Sequence, residues 1–252
     1  MLVPGNTKLG PLLHSFSMPA GATCPGKTEL CAKFCYATLG HFRQHNVRSA
    51  YRRNEEASRS STFVRDMVTE IKTKKIKIVR IHSSGDFYNA AYIRKWVKIA
   101  KRFPTTTFYA YTRSWRTRRL LPALQELAKL KNVHLWWSCD AESHQHDGRP
   151  PRWRNVRVAW MHVDANDAIP SYVHLVFRVS KLRPTTAKYI DGRLVCPVES
   201  GVQTQVPITC TTCKLCYGSR PIPQKSVSDN KNQLPLLTCA QSEPGRAVLA
   251  TA

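Results

Sequence analysis

The sequence predicts an α/β protein whose core is a partial (βα) barrel of about six strands, followed by a cysteine-rich region organised by metal. Short β-branched and aromatic runs alternate with apolar residues at helical spacing as far as residue 181. Seven cysteines form two groups, one near the start of this alternation and one after its end. We therefore divide the chain into residues 1–181, a partial α/β barrel with an N-terminal cysteine loop, and residues 182–252, a Cys-rich C-terminal module.

The strands are predicted from short runs rich in Val, Ile, Tyr, Phe and Trp. The first is LLHSFSM, and the most regular are IKIVRIH, TTFYAY and VRVAWMH. The six predicted strands span residues 12–18, 76–82, 106–111, 133–138, 156–162 and 174–180.

The helices between them are predicted from the 3.6-residue period of their apolar positions. They span residues 47–71, 89–102 and 117–130; the last carries five apolar residues on one face, namely Leu120, Leu121, Leu124, Leu127 and Ala128. Repeated βα units imply a parallel sheet with right-handed crossovers, and a flat doubly wound sheet is the alternative to a partial barrel.

In such folds the loops at the carboxyl ends of the strands carry the chemistry. Here these loops are residues 19–37, 82–88, 112–119, 139–147, 163–167 and 181–183. They contain the first cysteine group and most of the candidate polar residues, so we expect those residues to converge at one edge of the sheet.

The charge balance predicts a polyanionic partner. Lys and Arg number 39 against 16 Asp and Glu, a formal net charge of +23. Such self-repulsion is tolerated when the cations displace counterions from phosphates, so we expect nucleic acid as the partner. No apolar run has the length of a membrane span, and the N-terminus lacks the pattern of a signal peptide. We therefore expect a cytoplasmic chain with no membrane partner.

The first cysteine group is Cys24, Cys31 and Cys35, with the spacing C-x6-C-x3-C. Three thiolates in one loop can hold three irons of a [4Fe–4S] cluster, leaving the fourth open or bound by a distant ligand. A structural zinc site usually uses C-x2-C pairs, which this loop lacks. Cys139 and Cys239 are the candidates for a fourth ligand.

The second group is Cys196, Cys210, Cys213 and Cys216. Its C-x2-C-x2-C core matches the ferredoxin-type run, and Cys196, which precedes a proline, is the candidate fourth ligand. Four thiolates would close the coordination shell, which predicts a structural or electron-transferring site. A second [4Fe–4S] cluster and a zinc ion both remain open here.

Candidate catalytic residues follow the second and third predicted strands. His82 and Asp86 could form an acid–base pair or bind a divalent metal ion, and Arg113 could steady developing charge. The alternative is structural: His82 would cap the strand, and Asp86 would cap the helix that follows.

Arginines interleaved with aromatic residues predict contacts with nucleic acid. Arginine grips phosphates and aromatic rings stack on bases, which favours single-stranded or locally opened substrates. The candidate nucleic-acid-binding residues are Arg43, Arg52, Arg53, Tyr111, Trp115, Arg116, Arg118 and Arg119. Solvated charged faces are the alternative.

Three segments carry a resemblance to known families. CAKFCYA resembles the cluster loop of radical SAM enzymes, and CPGKTELCAKFCYA, HSSGDF and TTFYAYTRSW together resemble the phage family called gene product eighty-eight. The likeness covers roughly residues 15–220. It implies a radical-SAM-like partial barrel, an iron–sulfur cluster and a mobile genetic element as the source. The radical SAM spacing is C-x3-C-x2-C, whereas Thr38 stands where the third cysteine would be, so we expect this fold without SAM as a cofactor.

Three functions are consistent with these patterns. The first is an iron–sulfur nuclease, a hydrolase cleaving phosphodiester bonds of single-stranded or locally opened DNA or RNA. The second is a radical SAM-type enzyme that modifies nucleic acid. The third is a non-catalytic nucleic-acid-binding protein, such as a replication or regulatory factor of a phage or plasmid. We expect the first, because the charge, the polar strand ends and the altered cysteine spacing agree with it.

Overall fold

The computed structural model describes residues 1–182, 187–199, 208–218 and 221–225. These residues form one sheet of nine strands and seven α-helices, so the chain is a mixed α/β protein. The strands are β1 (Val3–Pro4), β2 (Leu13–Phe16), β3 (Ile78–Ile81), β4 (Thr107–Thr112), β5 (Val133–Cys139), β6 (Val156–His162), β7 (Leu175–Arg178), β8 (Tyr189–Ile190) and β9 (Arg193–Val195). All six predicted strands are present, as β2 to β7.

The helices lie between the strands as expected. They are α1 (Glu29–Lys33), α2 (His45–Arg59), α3 (Phe63–Thr73), α4 (Ala90–Arg102), α5 (Leu121–Ala128), α6 (Ala141–Asp147) and α7 (Cys210–Cys213). Short 3₁₀ turns at Tyr36–Thr38 and Gly40–Arg43 precede α2, and two more at Ser114–Arg116 and Arg118–Leu120 precede α5.

The single helix predicted over residues 47–71 is wrong. The chain leaves the helical conformation at Ser60, whose ψ of 148° is extended, and α3 starts at Phe63. The Ser60 hydroxyl accepts the Thr62 N–H at 3.1 Å, and the Thr62 hydroxyl donates to Asp66 at 2.6 Å. Short polar side chains compete in this way for backbone groups, which interrupts the helix although the apolar period continues.

The strand order is β1-β2-β3-β4-β5-β6-β7-β9-β8. Neighbouring strands from β2 to β7 are parallel, β7 is parallel to β9, and the two edge strands β1 and β8 are antiparallel. Order therefore follows the chain from β1 to β7. A doubly wound sheet reverses its order at a switch point, and no such reversal occurs between β2 and β7.

Successive strand residues point to opposite faces of the sheet, and the two faces pack against different parts of the chain. Val79, Phe108 and Trp137 belong to the main core, which also contains the buried residues of α3, α4 and α5. Trp136 and Leu175 belong to a second cluster on the opposite face. We call this opposite face the inner face.

The described part of the cysteine-rich region covers the inner face. The Trp136 indole N–H donates to the Cys216 carbonyl at 2.8 Å, and the Tyr111 hydroxyl lies 2.8 Å from Cys216 Sγ. Arg157 donates to the Leu215 carbonyl at 3.0 Å. Strand β9, which belongs to this region, pairs with β7 and so extends the sheet. Within the described residues this region therefore shares the sheet and core of residues 1–181.

None of the helices in the described segments combines the length and the apolar character that crossing a membrane requires.

Candidate functional site

A cavity of about 250 Å³ lies at the carboxyl ends of the parallel strands. Cys24, Cys31 and Cys35 all line it, so the loop after β2 brings the three thiols to the edge where the sequence predicts them. The other walls come from the ends of β3 to β7 and the loops that follow them. They include Asp86, Arg113, Ser138, Met161 and Ser180. We call this space the cysteine cavity.

Helix α1 holds Cys31 and begins with a well-capped N-terminus. The Thr28 hydroxyl accepts the Cys31 N–H at 2.9 Å and donates to Asp140 Oδ2 at 2.7 Å. The Glu142 carboxylate accepts the N–H groups of Glu29 and Leu30 at 3.0 and 2.8 Å. Glu142 of α6 and the Thr28 hydroxyl thus satisfy the open N–H groups of the cysteine helix, and Asp140 holds Thr28 in place.

Arg113 lies beside the same helix. Its Nη1 is 2.7 Å from Asp140 Oδ2, and the two side chains are 6% and 0% exposed. Burial raises the pKa of the Cys31 thiol, and the Arg113 charge opposes that shift. The backbone here is close-packed, since a Cβ on Gly26 would lie 1.9 Å from the Arg113 carbonyl oxygen. The Arg113 side chain is therefore buried in an ion pair with Asp140 and positions the cysteine loop.

The three thiols form one electrostatic group. Burial raises the pKa of Cys24 to about 12, with further contributions from Asp86, Cys31 and Cys35. Within the described segments, no three Cys, His, Asp or Glu side chains are close enough to hold a single metal ion. A [4Fe–4S] cluster attaches each thiolate to a different iron, so it does not require the thiols to meet at one point.

His82 does not form the predicted pair with Asp86. The backbone at His82 is left-handed, with φ of +68°, and the imidazole lies among the rings of Phe16, Phe87 and Tyr92. Its Nε2 is 2.8 Å from the Tyr92 hydroxyl. Burial lowers the pKa of His82 to about 3, so the ring is neutral at physiological pH.

Asp86 has different partners from those predicted. Its carboxylate accepts the Thr112 hydroxyl at 2.6 Å, the Arg113 N–H at 2.8 Å and the Phe87 N–H at 2.7 Å. Burial raises the pKa of Asp86, and these hydrogen bonds oppose the shift. The helix-capping alternative is wrong too, because Asn89 caps α4 through the Tyr92 N–H at 2.8 Å. Asp86 joins the loops after β3 and β4.

We expect His82→Gln to remove part of the acid sensitivity of folding. The unfolded imidazole binds a proton below about pH 6.5 and the buried one only near 3, so folding loses about 1.4 kcal/mol per pH unit as pH falls through this window. The contribution of His82 to the free energy of unfolding is thus complete above about pH 6.5. Urea unfolding at pH 7 and 5 should show about 2 kcal/mol less loss in the variant. Equal losses in both proteins would contradict the assignment, since other groups titrate alike in both.

The second cysteine group lies against the inner face. Cys196 follows β9, while Cys210 and Cys213 begin and end α7. Burial raises the pKa of Cys216 to about 12, and the charges of Cys210 and Cys213 contribute to that shift. Burial likewise raises the pKa of Cys196, with Cys216 as the next cause. These four thiols therefore lie within electrostatic reach of one another.

The candidate fourth ligands of the first group differ in placement. Cys139 is buried at the end of β5, outside the lining of the cysteine cavity, and burial raises its pKa to about 12. Cys239 lies outside the described residues. Among the described residues, the thiols that line the cavity are therefore those of Cys24, Cys31 and Cys35.

Comparison with known proteins decides the family. The model of the family described as Gene product 88 matches residues 3–218. The chain belongs to the Gene product 88 family. It is 31% identical over 152 residues to the Gene 88 protein of Mycobacterium phage D29, an alignment covering 55% of this chain and 61% of that one. It is 28% identical over 230 residues to the Gene 88 protein of Mycobacterium phage L5, covering 86% and 87%. No solved structure matches the chain.

In this Gene product 88 family member, Trp115 and Arg116 of the cluster after β4 are bonded to the rest of the protein. The Trp115 side chain is 4% exposed, and its indole N–H donates to the Ser138 carbonyl at 3.1 Å. Arg116 pairs with Asp147 at 2.5 Å and donates to the Gly26 carbonyl at 3.0 Å. The ring of Trp115 is therefore covered, and the predicted stacking role does not fit its position. Tyr111 packs on the inner face against Trp136 and Phe177.

The other predicted nucleic-acid-binding residues are at the surface. Arg52 and Arg53 are exposed on α2, and Arg43 is exposed in the turn before it. Arg118 and Arg119 are exposed in the turn before α5. Lys27 and Lys33 are exposed within the cysteine loop itself, and α2 with its exposed arginines starts ten residues after Cys35.

Two residues near the site were missed by the sequence analysis. Arg80 projects from β3 on the inner face, and its guanidinium lies 3.4 Å from the Tyr36 hydroxyl, with both residues lining the cysteine cavity. The available signals were a charged residue at an inward position of IKIVRIH and an aromatic residue directly after Cys35. Neither pattern is specific, because alternation along a strand also places cations in solvent.

Proposed function

We propose that this chain is an iron–sulfur protein that acts on single-stranded or locally opened nucleic acid. Cys24, Cys31 and Cys35 would hold a [4Fe–4S] cluster in the cysteine cavity. The observation that carries the proposal is that three thiols of one loop line a cavity at the carboxyl ends of the parallel strands. Such a cluster, when bound, supplies an iron without a thiolate ligand, which can act as a Lewis acid or in electron transfer.

The surrounding residues support this assignment. Arg113 compensates negative charge at Cys31, and Asp140 holds Arg113 in place. A buried hydrogen bond from Thr28 to Asp140 holds the middle of the loop, so a cofactor would meet a preformed site. A divalent metal ion at His82 and Asp86 fits less well. His82 Nε2 already bonds to the Tyr92 hydroxyl, and the Asp86 carboxylate already accepts the Thr112 hydroxyl and the Arg113 N–H.

The arrangement of the sheet supports the partial-barrel, radical-SAM-like part of the prediction. Strands β2 to β7 are parallel and in chain order, and the helices with buried cores pack on one face. A barrel built from βα units has this order and this one-sided helix layer. The second cysteine group would then hold another cluster or a zinc ion against the inner face and stabilise the fold.

Two reactions fit this site. Cleavage of phosphodiester bonds is the first, and it would depend on the cofactor, because His82, Asp86 and Arg113 are each engaged in the protein. Cluster-dependent modification of nucleic acid is the second, and it is favoured by the strand order and by the position of the cysteine loop after the first parallel strand. The net charge of +23 supports nucleic acid as the partner in both.

Anaerobic purification followed by assays of iron, sulfide and visible absorbance tests the cofactor. Labelled single- and double-stranded DNA and RNA, each with and without SAM and the reductant dithionite, test the reaction. Cleavage without SAM supports the nuclease, and release of deoxyadenosine supports modification. Binding without turnover would indicate a non-catalytic binder. A colourless protein that retains only zinc would refute the iron–sulfur assignment.

A further inference from the structure

A second and larger cavity, of about 660 Å³, adjoins the cysteine cavity. Tyr36, Arg80 and Ser83 line both spaces. The larger cavity lies between α2, the N-terminal strands and the inner face of β3. A molecule bound there would therefore reach the mouth of the cysteine cavity.

The floor of this cavity offers unpaired hydrogen-bonding atoms. Arg80 Nε and Ser83 Oγ are both buried without a hydrogen-bond partner among the described residues. Leaving such an atom unpaired in a buried site is unfavourable, and more so for a charged group. A ligand with oxygen acceptors would satisfy both, and the guanidinium favours a phosphate.

Another part of the cavity lining is aromatic. The ring centroids of Tyr36 and Phe42 are 5.5 Å apart, and those of Phe42 and Tyr51 are 6.4 Å apart. The Tyr36 side chain is 51% exposed although its hydroxyl donates to the Ser83 carbonyl. Exposed aromatic faces beside a cation are the usual surface on which an unstacked base packs.

The rim is basic on the side of α2. Arg53 lines the cavity, and Arg43, Arg48 and Arg52 are exposed on the same helix or the turn before it. These cations can hold the phosphates on either side of a nucleotide that enters the cavity. The cavity also contains one carboxylate, Glu199, whose Oε2 is 2.6 Å from Lys8 Nζ.

We propose that this cavity holds one unstacked nucleotide of the nucleic-acid partner, with its phosphate on Arg80 and Ser83 and its base against Tyr36, Phe42 and Tyr51. The inference rests on the proposed function and specifies its substrate: a nucleotide turned out of its stack and presented next to the cysteine cavity. Enzymes that act on a base gain access to it in this way.

Fluorescence anisotropy with labelled DNA and RNA strands of about 12 nucleotides tests the inference. Tyr51→Leu removes the ring and should weaken single-strand binding by about tenfold, whereas Tyr51→Phe keeps the ring and should bind within about twofold. Arg80→Met should also weaken binding about tenfold. Arg102→Met is the matched control, because Arg102 is exposed at the end of α4 and lines neither cavity.

Thermal unfolding of each variant separates loss of binding from loss of fold, and Tyr51→Leu against Tyr51→Phe remains informative if Arg80→Met is unstable. Equal affinities for Tyr51→Leu and Tyr51→Phe, or equal losses for Arg80→Met and Arg102→Met, would overturn the inference. Absence of any nucleic-acid binding by wild type would instead refute the nucleic-acid part of the proposed function.

Discussion

Replacing Asp140 with asparagine should destabilise the chain by about 3–5 kcal/mol, because Arg113 would keep its charge in a buried site without a counterion. The two side chains are 2.7 Å apart and almost fully buried. Asparagine can still accept the Ser143 N–H that Asp140 Oδ1 accepts at 2.8 Å, so the cap of α6 survives, while an amide NH2 replaces the Oδ2 that accepts the Thr28 hydroxyl and pairs with Arg113. Urea unfolding gives the free-energy difference.

The matched control is Asp147→Asn. Asp147 pairs with Arg116, but these side chains are 29% and 17% exposed. Partly solvated pairs contribute about 0–1 kcal/mol, so this variant should lose far less stability. Adding Arg113→Met to Asp140→Asn should restore part of the loss, since the unpaired charge is then gone. Similar losses for the two asparagine variants would contradict the role given to the Asp140–Arg113 pair.

Asp140→Asn should also reduce cluster content. Asp140 bonds to Thr28, which caps α1, and to Arg113, which lies beside α1. Both partners position Cys31. We therefore expect less iron per chain in this variant than in Asp147→Asn when both are folded. The measurement is iron and sulfide after anaerobic reconstitution.

Serine at Cys24, Cys31 or Cys35 should abolish the proposed cluster of the cysteine cavity, because a serine hydroxyl keeps its proton at neutral pH and is a far poorer iron ligand than a thiolate. Any iron that remains would then be held by the second group. In each single variant, the visible absorbance should fall to that of the protein with serine at all three positions. Cys139→Ala is the control, since Cys139 does not line the cavity, and it should retain the wild-type iron content.

Loss of a thiol from the first cysteine group should affect turnover, whereas loss of one from the second group should affect the unfolding temperature. Serine at Cys216 removes a thiol that contacts Tyr111 and lies beneath the inner face, so we expect a lower unfolding temperature. Serine at Cys35 should abolish turnover of nucleic acid with a smaller change in unfolding temperature. If both variants lowered the unfolding temperature equally and left turnover intact, the division between a reactive and a structural group would be wrong.

Local patterns were sufficient for much of the fold. The β-branched runs predicted all six parallel strands, since alternation of side chains along a strand is visible in the sequence. They were not sufficient for the helix over 47–71. Its interruption depends on hydrogen bonds made by Ser60 and Thr62, which apolar periodicity does not register.

The sequence by itself determined the α/β class from local periodicity, the family from its motifs, and the placement of Cys24, Cys31 and Cys35 at the carboxyl edge from their position after a predicted parallel strand. The tertiary structure decided the strand order, which the sequence left open. Only the tertiary structure decided the roles of His82, Asp86 and Arg113. Their partners Tyr92, Thr112 and Asp140 come from other elements, and burial sets their charge and hydrogen bonding. A residue type shows which reactions are chemically available to it, whereas its contacts determine whether it is free to perform them.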